Sequence, residues 1–244
     1  MNTKYAVITG GAGALGSNIA KLLIKDGCEV FILDKNSKTG IELEKAYPKN
    51  IHFFDVDVVD PNQVDIVVDK ILSISNGEIN YLVNTVGYNL KKPVEELSFK
   101  EMQDTLNVTV LSHAYLVKKF SQKFSKEGSV VNTSSVHSLS TRKNFAMYAA
   151  GKGAVNALTR GLALELRDQR IRVNAIVPGA FTSEQEKTTT KDWKSKLEKR
   201  QMFEPIDMAN VVIFLLSEKS KSINGECIVC DGGVFAKRIN SSDF

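Results

Sequence analysis

Seven short apolar runs, separated by stretches long enough for helices, constrain this chain more than any other feature. The runs cover residues 5–9, 29–34, 51–55, 81–84, 129–133, 172–176 and 227–230. Most are rich in β-branched residues and nearly continuous in apolar ones, as strands covered on both faces must be. The intervening segments carry helical spacing. Ile19, Leu22 and Leu23 make one apolar stripe, and Val64, Val67, Val68 and Ile71 make another. Such alternation implies a parallel sheet with right-handed crossovers. The expected fold is α/β, a doubly wound parallel sheet of about seven strands with helices on both faces. A chain of 244 residues, 43% hydrophobic and 25% charged, suffices for one large core, so residues 1–244 are expected to form a single domain.

Several function classes lose support at once. The net charge is +4, but the lysines are scattered. The nearest basic run, 187–200, is broken by Asp192 and Glu198 and reads as a solvated helix face, not a nucleic-acid patch. Cys227 and Cys230 form a C-x-x-C with no second pair among the three cysteines, and only three histidines are present, so no metal site is expected. That pair reads as part of a buried strand. No run of about 18 apolar residues exists, so no membrane span is expected. The first apolar run leads into a glycine turn and not a cleavage site, so the expected location is the cytoplasm. The polar stretch 182–200 is expected to be the least structured.

The first strand enters Thr9-Gly10-Gly11-Ala12-Gly13-Ala14-Leu15-Gly16. A chain that leaves a buried strand, approaches a pyrophosphate and starts a helix needs glycine for the turn and the approach. The helix start then offers unpaired N–H groups and partial positive charge to the phosphates. Gly11-x-Gly13-x-x-Gly16 fits the general dinucleotide spacing. Asp34 ends the second strand, eighteen residues after Gly16. A carboxylate there accepts ribose hydroxyls and repels a 2′-phosphate, which favours NAD over NADP. Lys35 follows it and softens that exclusion. Further on, Tyr148 and Lys152 share a helix face at i and i+4, and Ser135 lies thirteen residues before Tyr148. A phenol with pKa near ~10 is a poor base at neutral pH, and an adjacent ammonium stabilises its phenolate. Lowering that pKa by ~3 units takes ~4 kcal/mol.

These motifs, in this order, resemble the short-chain dehydrogenase/reductase family, single-domain branch, from Tyr5 to about Gly233. The resemblance implies a Rossmann-type NAD(P)-binding domain. In the family pattern Thr-Gly-x-x-x-Gly-x-Gly the glycines are Gly10 and Gly16, with Ala14 in the middle place, and Gly13 and Leu15 complete the cofactor turn. Asp57-Val58-Val59-Asp60 resembles Asp-Val-x-Asp, which implies Asp57 on the adenine amino group and Val58 beside the ring; Asp55-Val56 is a competing register. Asn84 and Gly87 match the family's Asn-Asn-Ala-Gly, with Thr85 and Val86 between them. Pro178, Gly179, Phe181 and Ser183 stand where the family holds the nicotinamide carboxamide, with Val177 contributing its backbone. Ser135 is implied as the group that binds the substrate oxygen, Tyr148 as the acid–base residue, and Lys152 as the partner of both Tyr148 and the nicotinamide ribose. The fourth catalytic position is Asn107 by ungapped counting from Ser135, or Thr109 by the local pattern Asn107-Val108-Thr109-Val110.

The implied activity is NAD-dependent hydride transfer to or from a small polar secondary alcohol or ketone, without a metal. Loops 88–92, 136–147 and 182–202 carry Asn89, Lys91, His137, Arg142, Lys143 and Asn144. Of these, His137 and Asn144 are expected to join Ser135 and Tyr148 on a sugar, polyol or hydroxy acid. The 182–200 segment is expected to act as a lid. Two rivals are weighed. A 3-oxoacyl-carrier-protein reductase would want NADPH, against Asp34. A non-catalytic NAD sensor would not need Ser135, Tyr148 and Lys152. The family's habit of tetramers implies a homo-oligomer, tetramer or dimer.

Overall fold

The computed structural model describes residues 3–182, 187 and 191–238. One sheet contains β1 (Lys4–Thr9), β2 (Cys28–Asp34), β3 (Ile51–Asp55), β4 (Ile79–Asn84), β5 (Phe124–Thr133), β6 (Arg172–Pro178) and β7 (Cys227–Cys230). Its order is β3-β2-β1-β4-β5-β6-β7, with every pair parallel. All seven expected strands are present. β5 starts earlier than its apolar pattern, because Phe124 pairs with Ile79 before a register shift near Tyr81. The polar residues of that first stretch carry no strand signal.

Alternate strand residues feed two cores. Ala6, Ile8, Val30 and Ile32 pack against α1 (Ala14–Lys25), α2 (Ser37–Ala46) and α8 (Pro205–Leu216). Val7, Phe31 and Leu33 pack against α3 (Pro61–Ile74), α5 (Ser112–Phe120) and α6 (Ala146–Glu165). Of the stripes read from sequence, Ile19 and Leu23 on α1 and Val64, Val67, Val68 and Ile71 on α3 are buried, and Leu22 is partly buried. Two further helices are α4 (Phe99–Leu106) and α7 (Trp193–Glu198). The latter lies within the stretch expected to lack structure.

The strand order reverses between β1 and β4, and a doubly wound sheet opens a crevice at the carboxyl ends of its strands at such a point. The helix starts around it differ in one respect. Asn36, Asp60 and Ser98 cap α2, α3 and α4 with their side chains. Gly13 caps α1 with none, and the first turn holds no acidic residue. The first N–H groups of α1 are therefore left without a capping side chain.

β7 departs from expectation. It is the last strand of the sheet and half-buried, with Val229 at 42% exposure. A single strand neighbour leaves one flank of it uncovered. Cys227 and Cys230, three apart on a strand, point to opposite faces, and all three cysteines are free thiols. Among the described residues no helix is long and apolar enough to cross a membrane, and no His/Cys/Asp/Glu cluster suits a metal ion.

Candidate active site

The turn after β1 is built by contacts that exclude side chains. Gly10 adopts φ +67°, and a Cβ there would lie 2.6 Å from Thr85 Oγ1. A Cβ on Gly16 would lie 2.3 Å from the Gly10 carbonyl oxygen. The turn and the α1 start wall a cavity of about 410 Å³. Gly10, Gly13, Ala14, Leu15 and Gly16 line it, as do Asp34, Lys35, Val58, Gly87, Pro178, Gly179 and Phe181, and so do Ser135, Tyr148 and Lys152. One cavity thus holds most of the residues expected to bind a cofactor and three of the four expected catalytic residues. Leu33, Val56, Thr85, Val86, Asn89, Thr133 and Ser134 complete the wall. An uncapped helix start, a side-chain-free turn and a carboxylate on one wall fit a dinucleotide.

Asp34 does more than end β2. Its Oδ2 accepts the Ala12 N–H at 3.0 Å, and its Oδ1 accepts the Asn36 N–H at 3.0 Å. The carboxylate is held against the glycine turn with lone pairs to spare. At the other end, Gly179 donates its N–H to the Cys230 carbonyl at 3.0 Å, and a Cβ on Gly179 would lie 2.8 Å from that of Asp231. The Pro178-Gly179 turn is pinned to β7. Thr182 donates to the Phe203 carbonyl at 2.8 Å, which fixes the chain just past Phe181. Ser183 lies outside the described residues, as do 184–186 and 188–190 of the expected lid.

The three catalytic candidates meet as the spacing requires. Lys152 is buried, with Nζ donating to the Thr133 carbonyl at 2.7 Å and lying 6.0 Å from the Tyr148 ring centroid. A Cβ on Gly87 would come within 2.9 Å of that Nζ, so Gly87 lies against the lysine tip. Ser134 donates to the Lys152 carbonyl at 3.0 Å and so braces α6. Ser135 is left for the substrate side, and its Oγ accepts the His137 N–H at 3.2 Å. Burial pushes the Tyr148 phenol up, and the Ser135 hydroxyl pulls it only partly back. Burial pushes the Lys152 ammonium down to about 8. The ammonium is held by the Thr133 carbonyl.

Four expected residues sit elsewhere. Asn107 to Leu111 form a π-helical turn between α4 and α5. Thr109 is buried there; its Oγ1 accepts the Tyr88 N–H at 3.3 Å and packs against Gly151, beside Lys152. Asn107 instead lines a separate groove with Val58, Leu111 and Tyr115. The π-turn thus sets the two alternatives for the fourth catalytic position on different faces. Asp57 is off the wall, between Val56 and Val58 which are on it, and binds Lys35 through Oδ2 at 2.8 Å. Asn84 lies beneath the wall. Its Nδ2 donates to Asn132 Oδ1 at 2.9 Å, and Asn132 donates to Thr159 Oγ1 at 3.0 Å, tying β4, β5 and α6 together under the crevice. Asn144 adopts φ +73°, and its carbonyl accepts the Lys92 N–H at 2.8 Å, a role in the turn before α6.

His137 is close but not on the wall. Its ring stacks on Phe145 at 4.6 Å and meets the Tyr148 ring edge at 5.5 Å, while Arg142 covers Phe145 at 4.8 Å. This stack backs the Tyr148 side of the site. His113 was not among the expected residues. It is fully buried, its Nε2–H donates to the Val86 carbonyl at 3.0 Å, and Nδ1 has no partner. Burial, helped by Lys152, pushes it down to about 3, so it is neutral. Only its place four residues after Thr109 offered a signal.

With this geometry in place, comparison with known proteins is informative. A family model described as enoyl-(acyl carrier protein) reductase matches residues 10–235. The (S)-acetoin-forming diacetyl reductase of Staphylococcus epidermidis is 28% identical over 254 residues, covering 95% of this chain and 98% of that one. The NAD+-bound crystal structure of xylitol dehydrogenase superposes with a TM-score of 0.85 at 25% identity, covering 95% and 99% of the two chains. ElxO with NADP bound superposes at 0.82 with 27% identity, covering 96% and 100%. With the family model spanning nearly the whole chain and these relatives matching end to end, the chain belongs to the short-chain dehydrogenase/reductase family of oxidoreductases.

Proposed function

We propose that this protein interconverts a small polar secondary alcohol and its ketone, using NAD in preference to NADP, with Tyr148 as the acid–base residue. The observation that carries this reading is the single cavity that has the glycine turn and Asp34 among its walls together with Ser135, Tyr148 and Lys152. When bound, the nicotinamide cofactor accepts or supplies the hydride. Ser135 donates a hydrogen bond to the substrate oxygen and holds it beside Tyr148. In ketone reduction Tyr148 gives its proton to that oxygen, a task suited to a phenol that burial keeps protonated. In alcohol oxidation Tyr148 takes the hydroxyl proton, and positive charge at Lys152 favours the resulting phenolate. Thr109 packs on Gly151, next to Lys152 on α6, and His113 holds the Val86 carbonyl in place.

Small polar substrates are supported by two relatives, a diacetyl reductase and a xylitol dehydrogenase. NAD is supported by Asp34, whose carboxylate stands on the wall at the end of β2. Assembly into a homo-oligomer belongs to the same reading. Phe99, Leu111 and Leu164, on α4, the π-turn and α6, are 73%, 58% and 73% exposed, apolar surface that such an assembly would cover. The test is initial rates for acetoin, xylitol, other polyols and hydroxy acids, each with NAD and with NADP. Turnover of one such alcohol with the NAD arm faster is the expected result. Dinucleotide binding without turnover of any of them would count against it.

A further inference from the structure

Lys35 is the cation that follows Asp34 on the cavity wall, and it does not point freely into the crevice. Its Nζ lies 2.8 Å from Asp57 Oδ2, with the lysine side chain 68% exposed and the aspartate 31%. Asp57 is itself fixed. Its Oδ1 accepts the Val59 N–H at 3.2 Å, and its own N–H donates to Gln63 Oε1 at 3.0 Å. Gln63 is held in turn by Asp60, the cap of α3, at 2.9 Å. The aspartate is thus an anchored post, and the lysine is the arm that swings.

We propose that Asp57 is a positioning residue for cofactor choice: it holds Lys35 away from the place a ribose 2′-phosphate would take. The proposal rests on the dinucleotide reading above. Lys35 can satisfy one carboxylate or one phosphate at a time. While it stays on Asp57, Lys35 is withheld from a 2′-phosphate beside the Asp34 carboxylate, which disfavours that phosphate and leaves a ribose hydroxyl unaffected. An exposed ion pair is weak, so a phosphate dianion competes for the lysine. The preference for NAD is therefore graded, and one residue tunes it.

Asp57→Asn keeps an oxygen for the Val59 N–H and removes the charge that retains Lys35. The NADP-to-NAD affinity ratio is expected to rise about two- to fivefold, the range an exposed ion pair is worth. Calorimetric titration of NAD, NADP and 2′,5′-ADP into wild type, D57N, K35Q and D57N/K35Q measures it. The gain is expected to vanish in the double variant and to shrink in high salt. An unchanged ratio in D57N, or a gain that survives Lys35→Gln, overturns the proposal. A D57N variant that still binds NAD is folded, so its ratio is decisive. A wild type that binds neither dinucleotide overturns the cofactor reading itself and this proposal with it, and is told apart by that double loss.

Discussion

At the scale of residues, the site turns on a lysine that is charged at a cost. Lys152 is buried against the Thr133 carbonyl and titrates near 8, well below the ordinary lysine value of 10.5. Between those values the unfolded chain binds a proton that the folded chain does not. Folding stability therefore rises with pH across that window, and below pH 8 the burial cost is fully present. Lys152→Met should flatten the rise, and urea unfolding at pH 7 and pH 9.5 compares the two slopes. Equal slopes in wild type and variant would contradict the burial of the charge. The π-turn yields a second test. Thr109→Ala should reduce kcat/KM by about tenfold, roughly a lost buried hydrogen bond, while Asn107→Ala should stay within about twofold. Steady-state kinetics of both variants checks the order; a larger loss in N107A would restore the ungapped count.

The elements show which parts of the site a sequence displays and which it hides. Strands covered on both faces are continuous apolar runs, so all seven were legible, and the glycine turn was legible because backbone approach leaves no alternative residue. Where one flank is uncovered, as at β7, a strand of the same composition reads as buried when it is not. The π-turn was hidden because spacing counts assume an unbroken helix. The tie between Asn84 and Asn132 was hidden because a strand-end asparagine looks the same whether it faces a ligand or the sheet beneath. The α1 start supplies the sharpest test at this scale. A methyl on Gly16 would meet backbone, 2.3 Å from the Gly10 carbonyl oxygen, with no flexible side chain to yield. Gly16→Ala should cost about 1–3 kcal/mol in urea unfolding and weaken dinucleotide binding, both from displacement of α1. Unchanged binding would detach the turn from the cofactor.

Across the whole molecule, the site is assembled from Gly10 to Phe181 by the reversal of strand order between β1 and β4. The order of motifs along the chain made that assembly readable. Which side chains reach the cavity was less so, because neighbours alternate between wall and support: Val56 and Val58 face in while Asp57 does not. His137 illustrates the same limit, since it reaches Tyr148 only through a stack with Phe145 that spacing does not reveal. The central claim joins the two halves of the cavity, a dinucleotide held by one and a proton moved by the other. Tyr148→Phe keeps the ring, its packing and the cofactor wall, and removes only the hydroxyl. The measurement is NAD affinity by titration and, on the same preparation, the rate of NADH formation with the alcohol the wild type turns over best. Affinity within about threefold of wild type with a rate lower by at least about 100-fold is the expected result. Retained turnover in Tyr148→Phe would contradict the assignment of Tyr148.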